Sequence, residues 1–414
     1  MNKRKKKKSK QSINKLTVAQ HRNEFFCKIQ HICNVVGDSR VFSLIPSKDL
    51  DRMYKMRIRA IKIVIAEGHH VSPEVLKEIK QAALYMLKEP QIPTITEKLE
   101  ITLYDYFSAG IILTNYLDII KNSINPVEKE IFKGLSKIHD YDDTIYKAWD
   151  IFHNYLGLES LFLSDLSSHI YWFKYSKKPQ IHENFFVCSY VELYSHQPEK
   201  IQVNFEGNKR TAFRVGWGFS KLATGMKWSI IKSENFNLKN SIPGLPLEVY
   251  VQTHALQRLS ERLDCILKGI LHLHIYLSFE NIKSCKDKFG NTLIEYWVSN
   301  YKLGYFVVDI SEGKAIIRTF LFLTNNGTPE GEKLKEITGL EKLDKKYLTI
   351  DKLSTFLSPD IYNNENLKKI FVKAGCGSLF DIDNKSSGLP DSLKNKHSIA
   401  MMIEQYLGLN INSQ

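Results

Sequence analysis

The chain has 414 residues, of which 43% are hydrophobic, 11% aromatic and 25% charged. That balance excludes a mostly disordered, collagen-like or membrane-embedded chain, and the length supports two or three domains at roughly 150 residues each. The net charge is +13, of which the first ten residues carry seven, leaving +6 on the rest.

Residues 1–14 read as a basic tail. The block Lys5, Lys6, Lys7, Lys8 repels itself and is expected to stay disordered, either as a solubilising segment or as an arm drawn to phosphate backbones. It lacks the apolar stretch of a secretory signal, and the most apolar later segment, Ala109 to Ile120, is interrupted by Asn115 and Asp118. Six cysteines (Cys27, Cys33, Cys188, Cys265, Cys285, Cys376) are scattered with no Cys-x-x-Cys pair, so reduced thiols, a cytoplasmic location and no stable membrane insertion are expected.

Residues 15–165 carry long stretches of three-and-four apolar spacing and read as a helical domain, with starts such as Ser72-Pro73-Glu74. A helix predicted from Lys48 to Glu67 places Arg52, Lys55, Arg59 and Lys62 within an arc of about 80°. This stripe is a candidate nucleic-acid contact, but helices normally show charges opposite the core, which favours reading it as the solvated face of a surface helix. The same domain is a candidate for docking a protein partner. His69-His70 read as loop residues. The carboxylates of His139-Asp140-Tyr141-Asp142-Asp143 suit the positive end of the following helix better than a metal, so neither metal nor cofactor is expected.

Residues 166–245 form a β-rich region. Strands are predicted at His169–Tyr175, Phe185–Tyr194, Lys200–Phe205, Thr211–Trp217 and Lys227–Ile231, with a hairpin turn at Glu206-Gly207-Asn208-Lys209. A turn-rich segment ending at Pro246 makes a boundary. Residues 246–330 then read as a helix from Thr253 to Phe279, broken near Gly269, and an antiparallel meander of strands at Thr292–Ser299, Gly304–Ile310 and Lys314–Leu323. Thr328-Pro329-Glu330 starts a helical extension over residues 331–414. The fold class is α+β. His272 and His274, two apart on a helix, point away from each other, and Gly375-Cys376-Gly377 lacks the spacing and lysine of a phosphate loop.

Helical spacing sorts the side chains of the helix from Thr253. Leu256, Leu259, Leu263, Ile266, Leu267 and Ile270 share one side, while His254, Arg258, Glu261 and Arg262 share the other. His254 and Arg258 stand about 6 Å apart along the axis, a separation that suits an imidazole and a guanidinium acting on one phosphodiester. Cleavage of RNA by its own 2′-hydroxyl requires a base, cations for the non-bridging oxygens and an acid, and these residue types supply them. Two-residue alternation puts Arg318 on a face with Ile316, Phe320 and Phe322, where it either snorkels to the rim or joins His254 and Arg258.

The string His254-Ala255-x-x-Arg258-x-x-x-Arg262 opening a helix, followed by antiparallel strands ending in Ile316-Ile317-Arg318-Thr319, resembles the small RelE and BrnT type toxin domains over residues 249–325. The resemblance implies metal-independent endoribonuclease activity, with His254 as acid or base and Arg258, Arg262 and Arg318 binding phosphate. The helix is longer than in that group, the loop Asn281–Asn291 is extra, and a helical domain precedes it. An Arg and Glu face also occurs on ordinary solvated helices, so a noncatalytic nucleic-acid-binding protein or an interaction scaffold stays open beside the enzyme.

Overall fold

The computed structural model describes residues 17–409 apart from 38, 58, 89–100, 166–168, 181–185, 206, 219–224, 237–243 and 383–398. Lys5, Lys6, Lys7 and Lys8 therefore lie outside the described residues. The fold is α+β, with helices first, sheets in the middle and helices again toward the C-terminal end. The chain divides into two units, residues 1–158 with 173–193, and residues 159–172 with 194–414.

The first part of the chain forms α1 (Val18–Val36), α2 (Ser39–Leu44), α3 (Ser47–Met56), β1 (Arg59–Ile65), α4 (Pro73–Lys88), α5 (Leu103–Asp105), α6 (Ile111–Ile120), α7 (Pro126–Leu135) and α8 (Asp142–Asp165), followed by β2 (Ile170–Gln180) and β3 (Phe186–His196). Ile29 and Ile32 of α1, Leu113 and Leu117 of α6, and Ile131 and Leu135 of α7 are fully buried together and hold the helices in one core. Ser72 caps α4 as its sequence suggests, its hydroxyl accepting from the Val75 amide at 3.3 Å. No described helix is long and apolar enough to cross a membrane.

The helix expected from Lys48 to Glu67 ends at Met56, and β1 runs parallel to β3 with Ile63 opposite Val191 and Ile65 opposite Leu193. The run Ile61-Lys62-Ile63-Val64-Ile65 explains the change. Branching at Cβ favours the pleated backbone, and period-two alternation leaves Lys62 exposed while Ile63 is buried. His69 and His70 accordingly follow a strand rather than a helix, in an irregular segment.

The later part forms β4 (Lys200–Phe205), β5 (Asn208–Arg214), β6 (Gly216–Gly218), β7 (Met226–Trp228), β8 (Ile230–Lys232) and β9 (Pro246–Gln252), then α9 (Thr253–Arg262) and α10 (Lys268–Glu280). After these come β10 (Ser284–Lys286), β11 (Thr292–Val298), β12 (Tyr301–Ser311) and β13 (Lys314–Phe322). The chain closes with α11 (Pro329–Thr338), α12 (Lys342–Tyr347), α13 (Leu353–Phe356), α14 (Pro359–Tyr362), α15 (Glu365–Lys373) and α16 (Ile399–Tyr406). The main sheet has the order β10-β11-β12-β13-β9-β5-β4, with β8 also on β9. The expected meander of β11, β12 and β13 is present, and the extra loop contributes β10 to its edge.

β9, like β1 and β10, is a strand that sequence reading passed over, here because turn residues precede it and a helix follows at once. It sits at the centre of the sheet, parallel to β13 and antiparallel to β5. Its chain direction delivers α9 directly onto β13, with Ala255, Leu259 and Leu263 fully buried in the core. Burying each of those leucines stabilises the fold by roughly 1.5–3 kcal/mol. The helical run breaks between Arg262 and Lys268, earlier than Gly269, so Leu267 lies exposed instead of extending the apolar side.

Candidate functional site

α9 starts where β9 ends, and from its first turn to its last it presents His254, Arg258 and Arg262 to one cleft of about 440 Å³. The opposite wall comes from α12, which contributes Lys342, Leu343, Lys345 and Lys346. The end of β13 supplies Thr319, Phe320 and Leu321, and the turn after it supplies Asn325 and Asn326. Asp351 completes the lining. Every one of these residues belongs to the second unit.

Three ties join the walls. Arg262 donates to Asp351 across a gap of 89 residues in sequence, with side chains only 14% and 6% exposed. Burial raises the Asp351 carboxyl above its ordinary range despite the adjacent guanidinium. The Lys345 ammonium, 1% exposed, donates to Asn326 Oδ1 at 2.7 Å and to the Gly331 carbonyl at 2.8 Å. Burial pulls its pKa down to about 8. Thr324 Oγ1 donates to the Ile350 carbonyl at 2.7 Å, fastening the end of β13 to the segment beyond α12. Arg262 and Lys345 thus hold the cleft together, and their charges are largely committed to the protein.

The rim differs. Arg258 is 42% exposed and meets Glu261 at 2.7 Å, a surface pair worth only a few tenths of a kcal/mol. Lys342 and Lys346 are exposed. His254 is half-buried, and desolvation, then the Arg258 charge, then the Arg210 charge hold its pKa below the ordinary value. The imidazole is therefore neutral near pH 7 and able to accept a proton.

Arg318 does not join them. The β12–β13 register pairs Val307 with Thr319 but Val308 with Ile317, so Arg318 is the extra residue of a β-bulge. The bulge reverses the alternation. Ile316 packs with Ala212 and Tyr250 on one face, whereas Phe320 and Phe322 lie with Ala315 and Ile317 in the main core. Arg318 consequently leaves the Phe320 row, donates to Asp309 at 2.9 Å and lies 4.4 Å from the Phe205 ring centroid. Thr319 turns to the cleft in its place.

The predicted basic stripe is likewise dispersed. Arg52 and Lys55 sit on α3, Lys62 sits on β1, and the Arg59 side chain is outside the described residues. Arg52 lines a separate cavity of the first unit, 3.7 Å from Asp49. His272 and His274 open onto different cavities, as their spacing suggests. Among the described residues, no group of three or more His, Cys, Asp and Glu is placed to hold a metal, and Cys27, Cys33, Cys265, Cys285 and Cys376 are free thiols.

Sequence reading missed Lys342, Lys345, Lys346, Asn325 and Asn326. The run Lys342-Leu343-Asp344-Lys345-Lys346 carries a visible charge signal, but nothing local ties it to a helix some 80 residues earlier. The chain matches no protein-family model, and comparison with the curated proteins and with the solved structures gives no match.

Proposed function

We propose that the chain is a cytoplasmic RNA-directed protein that holds a phosphodiester backbone in the cleft between α9, β13 and α12. The observation that carries this reading is the lining itself, in which Arg258, Arg262, Lys342, Lys345 and Lys346 stand with one lining carboxylate, Asp351, while Glu261 pairs with Arg258 beside it. Arg258, Lys342 and Lys346 stand at the open rim, where cations position a backbone and release its counterions. Fluorescence anisotropy with labelled single-stranded RNA tests the reading. Three phosphate contacts give a slope of about −2 in log K against log salt. Affinity that is absent, or indifferent to salt, rejects it.

A second reading adds cleavage, with residues 246–330 as a toxin-like domain. It is favoured by the neutral His254 imidazole beside Arg258, an arrangement suited to accepting the 2′-hydroxyl proton. The engagement of Arg262 by Asp351 and of Arg318 by Asp309 weighs against a cleft full of free catalytic cations. Incubation of mixed RNA with the chain in EDTA decides. Fragments that disappear with His254→Ala support cleavage, whereas intact RNA that stays bound leaves a binding protein.

A further inference from the structure

Beyond the rim, the basic surface does not stop at His254. The antiparallel register that sets Ala212 against Gln252 carries β5 toward the start of α9, and Arg210 is close enough for its charge to act on the His254 imidazole. Arg210 in turn lies 5.7 Å from the centroid of Phe205, and Arg318 lies 4.4 Å from the same ring on its way to Asp309. Phe205 ends β4, the last strand of the sheet, and is half-buried rather than part of either core.

We propose that Phe205, with the guanidinium groups of Arg210 and Arg318, forms a stacking platform for an unpaired base of the same single-stranded RNA whose backbone occupies the cleft. This rests on the cleft reading and extends it to the class of RNA bound. A ring flanked by planar cations offers a base both stacking and charge, and a flexible single strand can splay its bases onto such a platform while a duplex keeps them stacked inside. The bulge at Arg318 leaves the guanidinium on the side of Ile316 and Phe205 while it turns Phe320 and Phe322 into the main core. The strand would pass from Lys342 and Lys346 over Arg258 and His254 to Arg210 and Phe205.

The test uses the full chain and labelled uridine oligomers of roughly four and roughly twelve nucleotides, lengths that bracket occupancy of one patch and of both. Phe205→Ala is expected to weaken the longer oligomer about tenfold and to leave the shorter one within about twofold. Phe205→Tyr, which keeps a ring in the same place, should retain the wild-type affinity, while Phe205→Leu should behave like the alanine variant. Equal losses for both oligomers, no loss for either, or equal affinity for a duplex of the longer length would overturn the platform while leaving the cleft reading intact. If the wild-type chain binds neither oligomer, the cleft reading fails and the platform fails with it.

Discussion

In the first unit, Arg52 and Lys55 lie on α3 and Lys62 on β1, so the spacing that would gather them is lost where the backbone changes from helix to strand. In the second unit, His254, Arg258 and Arg262 keep their helical spacing, and a distant helix brings three lysines opposite them. The contrast teaches that periodicity gathers side chains only while one kind of backbone continues. A concave site additionally needs a second wall fastened to the first. In the cleft that fastening is visible in the Arg262–Asp351, Lys345–Asn326 and Thr324–Ile350 contacts.

Breaking the fastening has the largest expected effect. Asp351→Ala leaves the nearly buried Arg262 without its partner and should cost about 3 kcal/mol of stability in urea unfolding. Replacing both partners, Arg262→Met with Asp351→Leu, should recover most of that loss, because two apolar side chains leave no uncompensated charge. Unchanged stability in the single variant would mean that the pair does not hold the walls.

Acid should loosen the same unit next. Burial lowers the His272 pKa to about 4. Its folded-state value lies below the unfolded one, so the unfolded chain takes up the proton first. Stability from this group is complete above the unfolded value near 6.5 and declines as the pH falls toward 4, by about 2 kcal/mol between pH 7 and pH 5. His254 shifts in the same direction. Urea midpoints at the two pH values, compared with His272→Leu, measure the difference, and a variant with undiminished acid sensitivity contradicts the assignment.

A smaller effect of opposite sign is expected at Gln252. Its side chain is 1% exposed on the central strand, and neither amide atom has a hydrogen-bond partner. Gln252→Met removes an unsatisfied polar group from the base of α9 and should raise stability by about 1 kcal/mol. A lower melting temperature would show that the amide is needed there.

Much of this architecture was legible beforehand. β4, the hairpin after it, the β11–β13 meander and the starts of α4 and α11 follow from alternation, turn residues and caps, all of which act over a few neighbouring positions. The cleft-facing side of α9 was legible for the same reason. Other features, β9 among them, were not. The Ile61–Ile65 run lay inside a span whose charges also fit a helix, so partnership with β3 decided its conformation. Arg318 was rightly grouped with Ile316 but wrongly with Phe320 and Phe322, because one extra residue in a strand leaves no mark on composition and yet reverses every side chain beyond it. The lysines of α12 reach the cleft through tertiary ties that no local pattern encodes.

The comparison between the dispersed stripe and the assembled cleft can be settled by one measurement, the salt dependence of single-stranded RNA affinity for two charge-reversed variants. With Lys342→Glu and Lys346→Glu together, the account predicts at least a tenfold loss and a slope shallower by about 1.4, two contacts at about 0.7 each. With Arg52→Glu and Lys55→Glu together, it predicts an affinity within about twofold of the unaltered chain and an unchanged slope. Equal losses in the two variants, or a loss confined to the α3 pair, would contradict the claim that the cleft of the second unit is where the backbone is held.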